Sequence, residues 1–121
     1  MLFVVATVSL ALALGPAADV KGKWQGTLVG TRPDGSEMKD TALLILEQKD
    51  TTVTGTVGGN ESDRHPITSG TVEGNKLTIT AKNAQDGREY RLELTVDGEE
   101  MKGTMSMGER QAKLLLKRLK Q

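Results

Sequence analysis

Tight turn signals divide the chain after residue 20 into short stretches of alternating apolar and polar residues. Asp, Asn, Pro and Gly dominate these points, and such residues tolerate the backbone conformations of tight turns, including positive φ. They stand at Pro33-Asp34-Gly35, Glu73-Gly74-Asn75, Asp86-Gly87 and Asp97-Gly98, with two further short connections at Lys49-Asp50 and Gly108-Glu109. Because a parallel crossover needs a dozen residues or more, loops this short force consecutive strands to pair antiparallel.

Eight stretches between these turns have the period of two that is typical of strands. Leu77, Ile79 and Ala81, for example, alternate with polar neighbours. A meander with one apolar face either closes into an up-and-down barrel or folds as two layers, and closure removes exposed edges. We therefore predict an all-β, eight-stranded antiparallel barrel. Its predicted strands are Lys21–Thr31, Met38–Gln48, Thr52–Val57, Pro66–Val72, Lys76–Lys82, Arg88–Val96, Glu100–Met107 and Gln111–Leu119.

Two stretches are apolar on both faces, Ala42–Leu46 and Leu114–Leu116 with Leu119. A homodimer contact or a packed leader segment would cover such surfaces. The second stretch is also ambiguous in type, because residues 110–121 are rich in helix-favouring Leu, Lys, Arg, Gln and Ala. A short apolar run does not by itself distinguish a strand from a helix, so both alternatives stay open for this segment.

Residues 1–18 form an apolar leader, and Asp19 is the first charged residue. The apolar run is too short to span a bilayer comfortably, which takes about 20 residues. A short apolar segment that ends in small residues is typical of a secretory signal. No Lys or Arg precedes it, so a retained anchor or an integral element of the fold are alternatives. Cleavage would leave residues 19–121 as one periplasmic or secreted domain.

The composition excludes several function classes. The 16 basic and 16 acidic residues give a net charge of zero, so no long-range field attracts nucleic acid or an anionic membrane. The chain has one Trp, one Tyr and one Phe, too few for base-stacking platforms. It has no cysteine. An exported domain without disulfides is more usual in a bacterial periplasm than among small animal secreted domains, and a thiolate nucleophile is excluded.

The single histidine, His65, stands in the polar stretch 60–66, and we interpret it as a solvated loop residue. A Ser/His/Asp set could be assembled from Ser62 or Ser69, His65 and Asp63. Residues so close along a loop are not held by separate rigid elements, as such catalytic sets normally are. We therefore predict a protein that is not an enzyme and needs no cofactor.

Glu61, Asp63 and His65 would lie on one side of an extended strand, and such ligands could hold a divalent ion loosely. Because no closed ligand set is visible, we interpret the stretch as a polar loop and predict no metal site. Asn60-Glu61-Ser62 also matches the glycosylation sequon, which matters only in a eukaryotic secretory route.

Glycine followed by threonine recurs along the predicted strands, at residues 26, 55, 70 and 103. Glycine inside a strand marks a bend, a bulge or the close approach of another group. Gly26, Gly55 and Gly103 share the parity of the inward residues. They either let the strands coil enough to close a small barrel or leave room inside it, and the first interpretation is favoured.

Gly22-Lys23-Trp24 on the first predicted strand, together with Arg118 on the last, resembles the lipocalin and wider calycin superfamily of up-and-down barrels. The resemblance spans residues 21–120. It implies that Trp24 closes one end of the barrel and that the Arg118 side chain packs across its ring, an arrangement stabilised by cation–π attraction. Gly22, Trp24 and Arg118 are thus the predicted barrel-closing residues.

The chain also resembles small secreted bacterial domains that share an early G-x-W-x-G, a T-G-T-V-G-G stretch and a basic last strand. Here these are residues 22–26, residues 54–59 and Lys117-Arg118. It departs from lipocalins at residues 95–98, Thr-Val-Asp-Gly, and lacks their long mouth loop. Avidins begin near a similar Gly-Lys-Trp, but the tryptophans of their biotin pocket are absent, so biotin binding is not expected.

Eight strands enclose either a packed core or a cavity for one small ligand. We predict non-catalytic binding of a small apolar ligand in the interior. The alternative is a protein-interaction module, such as a protease-inhibitor-like barrel, that acts through loops or the N-terminal arm and is suggested by the doubly apolar stretches. The predicted ligand-binding residues are Leu28, Leu44, Leu46, Val53, Ile67, Leu77, Ile79, Tyr90, Leu92, Leu94, Met105 and Leu116.

Overall fold

A computed structural model describes residues 17–83, 85–108 and 110–119 of the chain. Each strand formed by these residues pairs antiparallel with the next, and the last pairs with the first, which closes the barrel. The predicted signal lies outside the described residues apart from positions 17 and 18, and so does Glu109 of one predicted turn. The strands are β1 (Gly22–Thr31), β2 (Glu37–Lys49), β3 (Thr52–Asn60), β4 (Asp63–Glu73), β5 (Lys76–Lys82), β6 (Glu89–Asp97), β7 (Glu100–Met107) and β8 (Arg110–Arg118).

The predicted fold class is confirmed, and the ambiguous last segment is a strand. In β8 the side chains of Ala112, Leu114 and Leu116 are buried, while the residues between them are exposed. β8 pairs with both β1 and β7. Pairing on both sides satisfies its backbone hydrogen-bonding groups, so tertiary structure overrides the helix propensity of its composition.

The interpretation of residues 60–66 as a loop, with a solvated His65, is wrong. β3 runs to Asn60 and β4 begins at Asp63, so only a two-residue turn separates them. The His65 side chain lies on the inner face and the residue is only 9% exposed. The β3–β4 pairing contains two register shifts, between Thr52 and Thr56 and between Gly58 and Asn60. The predicted strand begins at Pro66, one residue after His65, so the imidazole lies outside its alternation, whereas β4 begins at Asp63.

The strand glycines allow neighbouring backbones to approach closely. A Cβ atom placed on Gly26 would lie 1.8 Å from the carbonyl oxygen of Leu115 on β8. Equivalent backbone clashes would arise at Gly55 and Gly103. These contacts favour the interpretation that the glycines let the strands coil into a small barrel, since the space a side chain would need is filled by backbone.

The inner faces of all eight strands share one hydrophobic core, with the largest fully buried side chains at Trp24, Leu44 and Leu46. On the outer face, Leu43 is 3% exposed, whereas Leu115 and Leu119 are 45% and 37% exposed. That a second copy of the chain or the leader covers this outer surface stays a prediction. The described part of the chain contains no helix with the length and apolar character of a membrane span.

Candidate functional site

Trp24 occupies one end of the barrel, which we call the closed end. Its side chain is fully buried, and its indole Nε1 donates a hydrogen bond to the Val20 carbonyl oxygen at 2.9 Å. The Arg118 guanidinium carbon lies 4.4 Å from the centroid of the Trp24 ring. This is the geometry that the resemblance implies for these two residues.

Arg118 also fixes the segment that leads into β1. Its Nη1 and Nη2 donate hydrogen bonds to the carbonyl oxygens of Lys21 and Asp19, each at 2.6 Å. Its Nε donates to the Glu99 carboxylate at 2.6 Å. Charge-assisted hydrogen bonds are roughly twice as strong as neutral ones. Gly22 joins this segment to β1 with φ of 129°, which side chains rarely adopt, so the chain turns at a residue that tolerates it.

Residues 17–21 lie across the closed end and complete its seal. Val20 is fully buried, and its backbone N–H donates to the Gln48 side-chain oxygen at 2.8 Å. Gln48 Nε2 donates in return to the Ala18 carbonyl at 3.0 Å, and the Ala18 N–H donates to the Gly74 carbonyl at 2.8 Å. These bonds satisfy the polar groups of a segment whose Ala17 and Ala18 pack against the core.

The opposite end, which we call the open end, contains a cavity of about 200 Å³ that reaches the barrel interior. Its walls come from residues of β1, β2, β3, β4, β6, β7 and β8. Its rim carries polar groups, among them the carboxyl groups of Asp40 and Asp63. The apolar wall residues are Leu28, Ala42, Leu44, Val57, Leu92, Met105 and Leu114.

His65 and Asp63 form the polar corner of this cavity. His65 Nε2 lies 3.1 Å from Asp63 Oδ1, with the imidazole side chain 11% exposed and the carboxylate 59% exposed. The planes of the imidazole and the Tyr90 ring are tilted by 50° relative to each other, and their centroids lie 6.2 Å apart. The Tyr90 hydroxyl oxygen accepts a hydrogen bond from Asn83 Nδ2 at 2.9 Å.

Glu61 does not join this corner. Its carboxylate pairs with Lys23 Nζ at 3.1 Å, on the outer side of the barrel wall. Glu61 therefore lies apart from Asp63 and His65, and the three residues considered as a loose metal site do not form one group. Nowhere in residues 17–83, 85–108 and 110–119 do three His, Cys, Asp or Glu side chains group as a metal site would require.

The structure separates the predicted ligand-binding residues into two groups. Leu28, Leu44, Tyr90, Leu92 and Met105 line the cavity. The others belong to the packed core or, for Ile67, pack against it half-buried; these residues are Leu46, Val53, Ile67, Leu77, Ile79, Leu94 and Leu116.

Several cavity residues were not predicted, most notably His65, Asp63 and Asp40. A signal for His65 exists in the sequence, since His65 has the parity of the inward residue Ile67. Extending the alternation of β4 backward from Ile67 would have placed the imidazole inside. Asp40 carries the same kind of signal, since it has the parity of the inward residues Ala42 and Leu44.

The chemistry of the cavity is that of a small binding site. Apolar walls favour burial of a hydrocarbon surface, and a few convergent polar groups fix its orientation. Outside the corner formed by His65 and Asp63, Asp40 contributes a further carboxylate at the rim.

No protein-family model, curated protein or solved structure matches this chain in comparisons with known proteins. The function is therefore inferred from the geometry of the site and not by analogy of fold, since one fold hosts many unrelated functions.

Proposed function

We propose that this protein is an exported, non-catalytic barrel that binds a small, largely apolar molecule through its open end. The observation that carries this proposal is the unequal filling of the interior. The closed end is packed around Trp24, while a cavity of about 200 Å³ remains among leucine side chains at the open end.

The volume limits the size of the ligand. A cavity of about 150 Å³ is large enough to bind benzene, whereas drug-sized ligands occupy pockets of roughly 300–1,000 Å³. A single ring or a short branched chain matches about 200 Å³. A long acyl chain would have to extend into solvent.

The polar corner sets the expected chemistry of the ligand. His65 and Asp63 lie at one side of the cavity, while the remaining wall is dominated by leucine and methionine. A ring that carries one hydroxyl group could place that group at the corner and keep its carbon atoms against Leu28 and Leu92. Such a ligand buries apolar surface without leaving a polar atom unpaired.

Export and lack of catalysis belong to the same proposal. The apolar leader with small residues near its end supports a periplasmic or secreted location. The absence of cysteine supports a binding role, because it removes the thiolate as a nucleophile.

Benzene and phenol provide a matched pair of probes, because they differ by one hydroxyl group. Titration of the full chain followed by backbone amide NMR is expected to shift signals around Ala42, Val57 and Leu92. Phenol is expected to bind more tightly than benzene, and His65→Gln is expected to narrow that difference. Shifts centred on the closed end, or no shifts up to the solubility limit, would contradict the proposal.

Val57→Phe tests the cavity directly, because the larger ring would occupy it. We expect at least a tenfold loss of benzene affinity. The control variant Leu115→Phe introduces the same residue type at an exposed position of the outer face. It is expected to leave benzene affinity unchanged. Equal effects of the two variants would locate binding outside the cavity.

A protein-interaction role is a second candidate, favoured by the exposed apolar side chains of Leu115 and Leu119 at the end of the chain. A patch of this kind would be covered by a partner or by a second copy. Light scattering coupled to size-exclusion chromatography tests the second copy. Leu115→Lys should convert a dimer to a monomer, and a wild-type monomer at all concentrations would remove the dimer from consideration.

A further inference from the structure

Three of the five methionines of the chain line one groove at the open end. Met38, Met105 and Met107 face a space of about 330 Å³ next to the turn after β1. All three are half-buried, unlike Met101, which is fully buried in the core. Methionine usually fills irregular gaps inside proteins, whereas these three side chains border one groove that is open to solvent.

The strand register brings these side chains together. Met38 on β2 pairs with Gly30 on β1, Gly30 pairs with Ala112 on β8, and Ala112 pairs with Met105 on β7. The row therefore has a methionine at each end and two small residues between them.

Gly30 and Ala112 leave space above the middle of the row. The Met38 methyl carbon lies 3.5 Å from the position that a Cβ atom on Gly30 would occupy, so this side chain reaches over the glycine. Met107 lies two residues beyond Met105 on the same face of its strand and borders the same groove.

We propose that Met38, Met105 and Met107 form a binding site for a single cuprous ion, ligated by their three Sδ atoms. Thioether sulfur is a soft ligand that selects Cu(I), whereas hard cations such as Mg²⁺ and Ca²⁺ prefer oxygen. Neutral ligands suit a monovalent ion. The groove is open to solvent, so an ion can enter without unfolding of the barrel.

Two arginines border the groove, Arg32 and Arg110. Their charge opposes a cation, but solvent and salt screen exposed charges. Arg32 is also oriented by other groups, because its Nη1 donates to the Glu37 carbonyl oxygen at 2.8 Å. The site therefore depends on the sulfur ligands and not on local charge.

The groove and the inner cavity are separate spaces that share one residue. Met38 and Met107 border the groove but do not line the inner cavity, and Met105 alone is shared between the two. Substitutions at Met38 and Met107 therefore test the metal site while the cavity keeps its walls.

The first experiment uses Ag(I), a redox-inert substitute for Cu(I), and the full chain with ¹³C-labelled methionine methyl groups. Saturation at one equivalent is expected, with shifts of the Met38, Met105 and Met107 signals and none of Met101. No shift at one equivalent, or shifts confined to Met1, would overturn the proposal.

The second experiment measures Cu(I) affinity under anaerobic reducing conditions by competition with bicinchoninate. Met38→Leu and Met107→Leu are each expected to weaken Cu(I) binding at least tenfold, and Met101→Leu is the matched control with no change. Benzene titration of the two groove variants should match the wild type. Equal Cu(I) affinity in all four proteins would refute the site, while loss of benzene binding alone would count only against the cavity proposal.

Discussion

The two ends of this barrel are built from the same eight strands but differ in what covers them. At the closed end, residues 17–21 cross the opening and are held by Trp24, Gln48 and Arg118. At the open end, the described residues form only turns, and the interior is accessible through a cavity beside His65. A single crossing segment thus accounts for the asymmetry.

A small barrel can divide its functions between its two ends, with stability supplied at one end and ligand binding at the other. Burial of a large aromatic side chain contributes most where it is complete, and Trp24 is fully buried. The side chains around the unfilled space at the open end lack packing contacts on one side. We therefore expect substitutions at the closed end to act on the free energy of unfolding and those at the open end to act on ligands.

Removal of the aromatic residue at each end should give the largest contrast. Trp24→Ala is expected to lower the free energy of unfolding by about 3–5 kcal/mol, because it empties a filled site. Tyr90→Ala removes a half-buried ring beside the cavity and should cost less than half as much. Urea unfolding measures both, and Trp24→Phe provides a milder variant if Trp24→Ala does not fold. Equal losses of unfolding free energy in the two variants would show that the two ends do not differ in their contribution to stability.

Enlarging one valine at each end tests the packing difference. Val72 is fully buried toward the closed end, so Val72→Phe should overpack the core and destabilise the protein by about 1–3 kcal/mol. Val57 borders the cavity, so Val57→Phe should cost clearly less because its ring has space to enter. Thermal and urea unfolding of the two variants provide the measurement. A larger cost at Val57 would mean that the cavity is not open in solution.

Arginine at each end provides the next test. Arg118→Met keeps much of the side-chain length but removes the cation–π contact and the hydrogen bonds to residues 19 and 21, at an expected cost of about 1–2 kcal/mol. Arg110→Met at the open end changes an exposed residue and should stay within about 0.5 kcal/mol. Hydrogen exchange should also rise in residues 17–21 of the Arg118 variant only. Similar exchange in both variants would show that Arg118 does not hold the crossing segment.

The smallest expected effect is electrostatic and lies in the open-end turn after β1. The Ser36 hydroxyl and the Ser36 backbone N–H donate to the Asp34 carboxylate, and these hydrogen bonds hold the pKa of Asp34 below its ordinary value of 3.8. A lowered folded-state pKa adds stability above the unfolded-state pKa, and this contribution is lost as the pH falls through the folded-state value. Asp34 is fully exposed, so the change in stability should be slight.

Ser36→Ala is expected to raise the pKa of Asp34 toward 3.8, which ¹³C NMR of the side-chain carboxyl can follow. A pKa of Asp34 that stays lowered in Ser36→Ala would show that the serine hydroxyl is not the main cause.

Much of the fold follows from local patterns along the chain. Connections of two to six residues are too short for a parallel crossover and leave antiparallel pairing of consecutive strands. Alternation in β5 and β6 assigns Leu77, Ile79 and Leu92 to the inside. Residues 60–65 were assigned to a loop because the predicted fourth strand begins at Pro66, whereas β4 begins at Asp63. His65 was consequently assigned to the surface although it lies at the cavity.

The sequence by itself determines which side chains enter the barrel, because turn chemistry and the period of two act between neighbours along the chain. Tertiary structure alone decides which of these side chains meet across the interior. Leu44 and Leu46 are two residues apart on one strand, yet Leu44 borders the cavity and Leu46 only the packed core. Packing depends on the volumes contributed by strands that are distant in sequence, so the position of unfilled space becomes defined only when the barrel closes.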